Sequence, residues 1–483
     1  MLKISPGRTY PLFDARSTRH IERLAQARLA PHTLMQRAGL AVARLALAVA
    51  PHAQRVWIAC GPGNNGGDGL EAAIHLQGWG KTPCVTWLGQ ADTAPTDAAA
   101  AHQRLQAAGV PIADQPIDDA DLCIDALLGV GLQVREPEGR LADWIERMHA
   151  CHTPVLAVDT PSGLNASTGV SAALHVRATH TLSLLTLKPG LFTGQGRDAC
   201  GAVWFDDLGV ASEDLPDCPA VTARLAGIPP VHPRLHDSHK GSYGDVAIIG
   251  GADGMSGAAL LAGQAALHAG AGRVYIGLLT DQALPIAGVP AELMFRPVPT
   301  LDFSCMTVVC GCGGGQAVQA VLPRLLATAR SAVIDADGLN ALADDVDLQT
   351  LLSARDQTLQ PTVLTPHPLE AARLLGCTTA DIQRDRLLAA RTLSERLTCT
   401  VVLKGSGTVI ATPGHAPVIN PGGNARLATA GTGDVLAGMI GALIAQGLPG
   451  FHAACRAVYR HGEIADQWPE GIALTASQLA TRW

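Results

Sequence analysis

Val56-Trp57-Ile58-Ala59-Cys60 runs directly into Gly61-Pro62-Gly63-Asn64-Asn65-Gly66-Gly67-Asp68-Gly69, and the helical stretch Leu70–Gln77 follows. A continuous apolar run, a glycine loop and a helix in that order form one strand–turn–helix step of a buried parallel sheet. Pro83–Leu88, Leu122–Leu127, Val155–Asp159 and Thr181–Leu185 read as further strands, with helices over Ala98–Ala108 and Leu141–His149. This rhythm predicts an α/β fold whose N-terminal half is a Rossmann-like, open doubly wound sheet.

The rhythm breaks between Asp214 and Pro233, where Pro216, Pro219, Pro229, Pro230 and Pro233 crowd a weakly periodic stretch. Proline fixes φ and removes a backbone donor, so the stretch reads as a linker with a boundary near residue 220. The expected domains are therefore 1–220 and 221–483, both α/β. In the second, Asp245–Ile249, Val274–Leu279, Thr307–Cys310, Ala332–Ile334, Val363–Thr365 and Thr400–Leu403 are strand candidates. Helices are expected over Ser256–Ala269, Val318–Ala329, Leu369–Leu375, Arg384–Leu397, Val435–Ala445 and His452–Trp468. Thr408–Ala411 and Pro417–Ile419 read as a hairpin.

An apolar share of 47% against 16% charged residues is that of a folded chain with large cores. The net charge is −7, from 42 acidic and 35 basic residues, and no Lys/Arg run occurs. That balance argues against nucleic acid or a membrane surface as partner. No basic-then-apolar segment opens the sequence, and no apolar stretch is long enough to span a bilayer. Twelve cysteines lie scattered without C-x-x-C or Cys/His zinc spacing, which reads as reduced thiols and a cytoplasmic location.

The upstream loop has the form G-x-G-x-x-G of dinucleotide-binding turns. The acidic residue expected at the end of the next strand is absent, because Trp87-Leu88-Gly89-Gln90 stands there. What sets the loop apart is its polar set, Asn64, Asn65 and Asp68. Asp125, Asp159 and Ser162 stand at the ends of other strands. Carboxyl ends of parallel strands open on one crevice, so Asn65, Asp125 and Ser162 converge from three loops, and such oxygen donors suit a hard cation. Taken singly, Asp125 and Asp159 also read as caps of the turns that follow them.

Gly61–Gly69, Asp125-Ala126-Leu127-Leu128-Gly129-Val130-Gly131-Leu132 and Val158–Gly163 resemble the epimerase domain of the bifunctional NAD(P)H-hydrate repair enzymes. Leu34-Met35-Gln36-Arg37-Ala38-Gly39 is similar to that family's early helix. The resemblance implies interconversion of the R and S epimers of hydrated NAD(P)H. It implies substrate contacts at Asn64, Asn65, Gly66, Gly67 and Asp68, at Gly129, Val130, Gly131, Leu132, Gln133, Val134 and Arg135, and at Asp159. It also implies a potassium ion held by Asn65, Asp125 and Ser162. Leu128 and Val130 depart from the family pattern, which has an aromatic residue and a threonine there.

Downstream, Gly431-Thr432-Gly433-Asp434 precedes the apolar run Val435–Leu448. A glycine loop opening a helix aims unpaired backbone N–H groups forward, which suits a phosphate or a developing oxyanion. Asp434 is placed to take a proton from an attacking hydroxyl, although an acid in a first turn also simply offsets the macrodipole. Lys404-Gly405-Ser406-Gly407-Thr408 ends a strand and offers a cation and backbone donors to a nucleotide phosphate. There is no Walker A motif: Gly80-Lys81-Thr82 has His75 where the upstream glycine belongs.

A nucleotide site without that loop, ending in G-T-G-D, resembles the ribokinase-like superfold. His239-Lys240-Gly241-Ser242-Tyr243-Gly244, Gly250-Gly251 and Met255-Ser256-Gly257-Ala258 narrow the resemblance, as do Asp335–Asn340, Thr365–Glu370 and Asn424–Gly438. Over most of residues 236–445 the chain is similar to the same family's ADP-dependent dehydratase domain. This implies substrate contacts at Ala258, Gly313, His367 and Asp434, and nucleotide contacts at Lys404, Gly405, Ser406, Gly407, Thr408 and Gly433. Cys312 and Leu369 depart from the family's G-P-G-L-G and P-H-P-G-E, and His367 alone also reads as a strand-end residue.

Hydroxide leaves C6 of the hydrated nicotinamide ring poorly. Phosphorylation makes that oxygen a good leaving group, which the ring-nitrogen electrons then expel. Asp434 is expected to take the hydroxyl proton while the Gly431–Gly433 amides hold phosphoryl charge. Magnesium and Lys404 would steady the donor, ADP or ATP, with AMP and phosphate released. Asp159 is the acid–base candidate of the epimerase half. The expected partners are hydrated NADH, hydrated NADPH and ADP, in a homo-oligomer. A small-alcohol kinase of the same superfold would instead release a stable phosphorylated product. A non-catalytic NAD(P)-binding protein has no need of a base beside a phosphate loop.

Overall fold

Strand Arg55–Cys60, buried from Val56 onward, is flanked in parallel by Thr82–Trp87 and Leu122–Ala126, with Ile58 opposite Val85 and Ile124. The computed structural model describes residues 1–131, 135–230, 233–282 and 288–483. Among these the chain divides into two units, Met1–Ser5 with Tyr10–Ala223, and Pro6–Thr9 with Arg224–Trp483.

The first unit's sheet runs Leu2–Lys3, Ala202–Asp206, His180–Leu184, Val155–Val158, Leu122–Ala126, Arg55–Cys60, Thr82–Trp87, Ile112–Ala113. Every pairing is parallel except that of the edge strand Leu2–Lys3. Helix Thr33–Val49 buries Leu34, Met35, Ala38, Ala41, Val42, Leu45 and Ala46, the three-four spacing of an apolar face turned to the core.

Helix Asn64–Gly78 starts six residues before the expected Leu70. Polar and glycine residues have poor helix propensity, but here they permit close approach. A Cβ on Gly66 would lie 2.0 Å from the Gly61 carbonyl oxygen, and one on Gly67 2.7 Å from Met35 Cε. The glycine loop is thus mostly the first turns of the helix, pressed onto the strand it follows. Asp125 lies within its strand and is fully buried, with Ala59 and Ala157 as neighbours in the sheet.

In the second unit the order is Leu293–Phe295, Arg273–Leu278, Asp245–Gly250, Thr307–Cys310, Ser331–Ile334, Thr362–Leu364, Thr400–Leu403, Val409–Ala411, Val418–Ile419. The strands are parallel as far as Thr400–Leu403, and Val409–Ala411 is antiparallel to both its neighbours. Lys404–Thr408 is therefore the turn of a hairpin as well as a strand end.

Helix Thr432–Ala445 is buried from Val435 to Ile444, and two glycines let it sink into the core. A Cβ on Gly438 would meet the Ala262 carbonyl oxygen at 2.1 Å, and one on Gly441 Val309 Cγ2 at 2.4 Å. This anchors the helix against helix Ser256–His268 and strand Thr307–Cys310, and so fixes Asp434 at its third position. Two expected helices are each broken. Val318–Ala329 becomes a 3-10 turn, Gln316–Ala320, and a helix, Leu322–Thr328, because Pro323 is tolerated only in a first turn. Arg384–Leu397 parts at Asp385, whose side chain caps the second helix by accepting from Leu388 N at 2.9 Å.

Candidate active sites

The strands' carboxyl ends in the first unit open on a cavity of about 710 Å³. Asn64, Asn65, Asp68, Gly129, Val130, Gly131, Arg135 and Asp159 line it. Gly66 and Gly67 are buried against Gly61 and Met35 and do not line it; the close approach described above uses their missing side chains. Leu132, Gln133 and Val134 fall outside the described residues.

Beneath the cavity, Asp125 Oδ1 accepts from Ser162 Oγ at 2.6 Å and Leu127 N at 3.2 Å, and Oδ2 from Ser162 N at 2.8 Å. Burial pushes the Asp125 carboxyl up to about 6, although these hydrogen bonds pull it down. Ser162 Oγ also accepts from Leu128 N at 2.8 Å. Asn65 packs against Gly129, and its buried Nδ2 has no partner among the described residues. Asp125 and Ser162 are thus in direct contact, while no hydrogen bond joins Asn65 to either.

Asp159, at the end of Val155–Val158, is paired with the fully buried Lys188. Its backbone has φ 67°, in the left-handed region. Glu22 and Asp68 share the cavity wall, and burial followed by the Asp159 charge raises both carboxyls.

In the second unit Asp434 stands in the first turn of helix Thr432–Ala445, whose N-cap Gly431 has φ 90°. Burial, then the Asp335 charge, pushes its carboxyl up to about 6, so near neutrality it is an ionised but basic carboxylate. Asp335 accepts from Lys404 Nζ at 2.7 Å and from Thr365 Oγ1 at 2.8 Å. Burial pulls the Lys404 ammonium down, but the Asp335 and Glu370 charges and the hydrogen bond to Asp335 together outweigh it and the group is raised. Lys404, expected to offer a cation to a nucleotide phosphate, is already one half of an ion pair. Gly433 lies against that pair, a Cβ there falling 3.3 Å from Lys404 Nζ. Gly405 and Ser406 lie exposed on the hairpin turn, and Arg386 Nη2 donates to the carbonyls of Leu403 and Lys404 beneath it.

The Cys312 thiol, Asp335 and Asp434 present donor atoms all within 4.8 Å of one another. Gly313, with φ 57°, abuts Met255 and Ala258, so a Cβ there would lie 3.0 Å from Ala258 Cβ. His367 is the N-cap of helix Pro368–Leu375: Nδ1 accepts from Leu369 N and Glu370 N at 3.1 and 3.4 Å. Nε2 lies 3.3 Å from Glu370 Oε1. Burial lowers its pKa, and Lys404 and Asp335 are among the charges it feels. Together these residues place a carboxylate, a cation and helix-terminal amides at one end of the sheet.

Comparison with known proteins matches both halves. A family model described as NAD(P)H-hydrate dehydratase covers residues 246–482, and one described as YjeF-related protein N-terminus covers 31–190. A bifunctional NAD(P)H-hydrate repair enzyme of Escherichia coli K12 is 38% identical over 451 residues, 90% of this chain and 85% of its own. The corresponding enzyme of Coxiella burnetii is 37% identical over 95% of each chain. The chain belongs to the bifunctional NAD(P)H-hydrate repair enzyme family. An ADP-dependent (S)-NAD(P)H-hydrate dehydratase of Neisseria meningitidis is 44% identical over 51% of this chain and 84% of its own. The two units accordingly have the Rossmann-like and ribokinase-like folds of this family.

Sequence reading of this family member missed Lys188, Glu22 and the role of Asp335. Lys188 did carry a signal, a lone lysine in Leu187-Lys188-Pro189-Gly190 just beyond a strand end. Asp335 opens the stretch Asp335–Asn340, but its pairing with Lys404 joins residues 69 apart in sequence.

Proposed function

We infer that this chain repairs hydrated NADH and NADPH, epimerising the R and S hydrates and dehydrating the S form with ADP or ATP as phosphoryl donor. The epimerase belongs to residues 1–220 and the dehydratase to 221–483. The observation that carries the reading is Asp434, a carboxylate raised to about 6 at the amide-bearing end of a buried helix. In the ADP-dependent half Asp434 removes the C6 hydroxyl proton as that oxygen attacks the donor phosphoryl group. The Gly431–Gly433 amides receive the phosphoryl charge. Asp335 fixes Lys404 beside them, and Gly313, Ala258 and His367 border the substrate. Lys404–Thr408 and Gly433 border the nucleotide. Phosphate then leaves C6 as the ring-nitrogen electrons restore the dihydropyridine.

Magnesium does not fit the cluster beside Asp434. One of its three donors is a thiol, and Lys404 already holds Oδ1 of Asp335. Potassium fits the epimerase half. Asp125 Oδ2 accepts one hydrogen bond and keeps a lone pair, and the orphaned Asn65 amide is satisfied if its oxygen turns to a cation. Asn65, Asp125 and Ser162 would hold it, and its charge would steady an anionic substrate group in the cavity. No helix among the described residues is long and apolar enough to cross a membrane. The cytoplasm and a homo-oligomeric state complete the reading.

The test mixes the full chain with an epimer mixture of hydrated NADH, ADP, magnesium and potassium, and follows dihydronicotinamide absorbance. Recovery beyond the S share is the expected result. Recovery that stops at the S share removes the epimerase, and none with either nucleotide removes the dehydratase.

A further inference from the structure

The cavity of the first unit carries three carboxylates, and they are held differently. Asp159 is fastened on one side: Oδ1 accepts from the Lys188 ammonium and from Leu184 N at 3.1 Å, while no hydrogen bond from the described residues reaches Oδ2. Lys188 is fully buried, and its three protons go to Asp159, to the Leu184 carbonyl at 2.7 Å and to Ser183 Oγ at 3.4 Å. It has no donor left for a substrate, so its work is done through Asp159. Asp159 and Leu185, at adjacent strand ends, both adopt left-handed backbone, uncommon for residues with side chains.

Asp68, on helix Asn64–Gly78, lines the same cavity, and no hydrogen bond or ion pair from the described residues reaches its carboxyl. Burial and then the Asp159 charge hold it well above the usual carboxylate range, and the next largest influences, from Glu22, Glu71 and Asp97, are acidic too. Glu22 differs in feeling both Lys188 and Arg19, which pull it back. The other ionisable groups around the pair are Arg19 and Glu22 on helix Ala15–Gln26, Glu71 on helix Asn64–Gly78, Asp97 on helix Thr96–Ala107, and Arg135 and Glu136 on the cavity wall. One carboxylate beside a lysine and one without a counter-ion is the arrangement that separates a base from an acid.

We propose that Asp159 and Asp68 are the base and the acid of the epimerase, with Lys188 positioning Asp159; this rests on the epimerase reading above. Asp159 Oδ2 takes the proton of the C6 hydroxyl. The C6–N1 bond breaks, C6 becomes an aldehyde, and the electron pair passes to N1, which receives the Asp68 proton. Rotation about C5–C6 presents the other aldehyde face. N1 re-adds, returning its proton to Asp68, and Asp159 returns its own to the new hydroxyl. Atoms and charge balance without a co-reactant.

The test uses the full chain with separated R hydrate, ADP and potassium, and the S hydrate as a control on folding. Asp68→Asn and Asp159→Asn are expected to lower R-hydrate recovery by at least ~100-fold and leave S-hydrate turnover unchanged. Lys188→Met is expected to move the acid limb of the R-hydrate pH–rate profile to higher pH, and Lys188→Arg to restore it. In ¹⁸O-water the S hydrate formed keeps its unlabelled hydroxyl. If the unmodified chain leaves R hydrate untouched, the epimerase reading itself falls. If it converts R hydrate and Asp68→Asn does so within ~3-fold, the acid assignment is wrong. A Lys188→Met rate loss with no movement of the limb leaves Lys188 merely structural, and one solvent ¹⁸O incorporated at every turnover, faster than an aldehyde exchanges its oxygen with water, replaces ring opening by loss and re-addition of water.

Discussion

Acidification of the dehydratase separates a raised Asp434 from an ordinary one. With a carboxyl at about 6, the ionised fraction falls roughly tenfold between pH 7 and pH 5, and dehydration falls with it. A carboxyl at its ordinary 3.8 would stay more than about 90% ionised over that span, and the rate would barely change. The direction is that of a base: protonation below the inflection silences it. The assay is initial recovery of dihydronicotinamide absorbance from purified S hydrate at saturating ADP and constant ionic strength. The nucleotide's terminal phosphate also titrates near ~6, so the wild-type profile alone does not decide. Asp335→Asn does. It removes the charge that ranks second among the causes raising Asp434 and releases Lys404 from its partner, and both changes favour the ionised carboxylate. The acid limb must then move to lower pH, which nucleotide titration cannot imitate. A limb that stays put in Asp335→Asn, or a wild-type rate flat from pH 7 to 5, refutes Asp434 as the base.

Three further outcomes follow from the geometry. Gly433→Ala should leave the melting temperature unchanged or raise it slightly, since alanine favours a helix by about 0.5–1 kcal/mol, yet raise the nucleotide KM roughly tenfold because its Cβ stands 3.3 Å from Lys404 Nζ. Steady-state kinetics and calorimetry on one preparation read the two opposite signs. Gly66→Ala, with a Cβ 2.0 Å from a backbone oxygen, should destabilise the first unit by roughly 3 kcal/mol while ADP-dependent dehydration persists, measured as the lower of two melting transitions. Asp125 has a folded-state pKa of about 6, above its ordinary 3.8, so its stabilising proton is fully held below about pH 4 and lost as pH rises through about 6, a span of about 3 kcal/mol. Potassium should therefore raise the first unit's melting temperature more at pH 8 than at pH 4.5, tetramethylammonium should not, and Asp125→Asn should abolish the difference.

The strands of both units were legible because buried parallel strands are continuous apolar runs; Val56–Cys60, Thr307–Cys310 and Thr400–Leu403 stand within a residue of where they were read. Strand Leu293–Phe295, only three residues long, carried no such signal. Helix starts were less legible. Asn64 and Thr432 begin helices amid glycines and polar residues that local propensity assigns to loops, and packing of Gly66 on Gly61 overrides propensity there.

By itself the sequence determined the α/β class of both halves, the candidacy of Asp434 and the convergence of Asp125 and Ser162, because apolar periodicity and strand-end position are local properties. Only the tertiary structure decided how each carboxylate behaves. Lys404 on Asp335 and Lys188 on Asp159 are contacts between residues 69 and 29 apart, and Asp68, in the cavity that holds Asp159, has no ion-pair partner among the described residues. A carboxylate's charge state depends on burial and on which cation the fold brings within a few ångströms, and neither is written in its sequence neighbours.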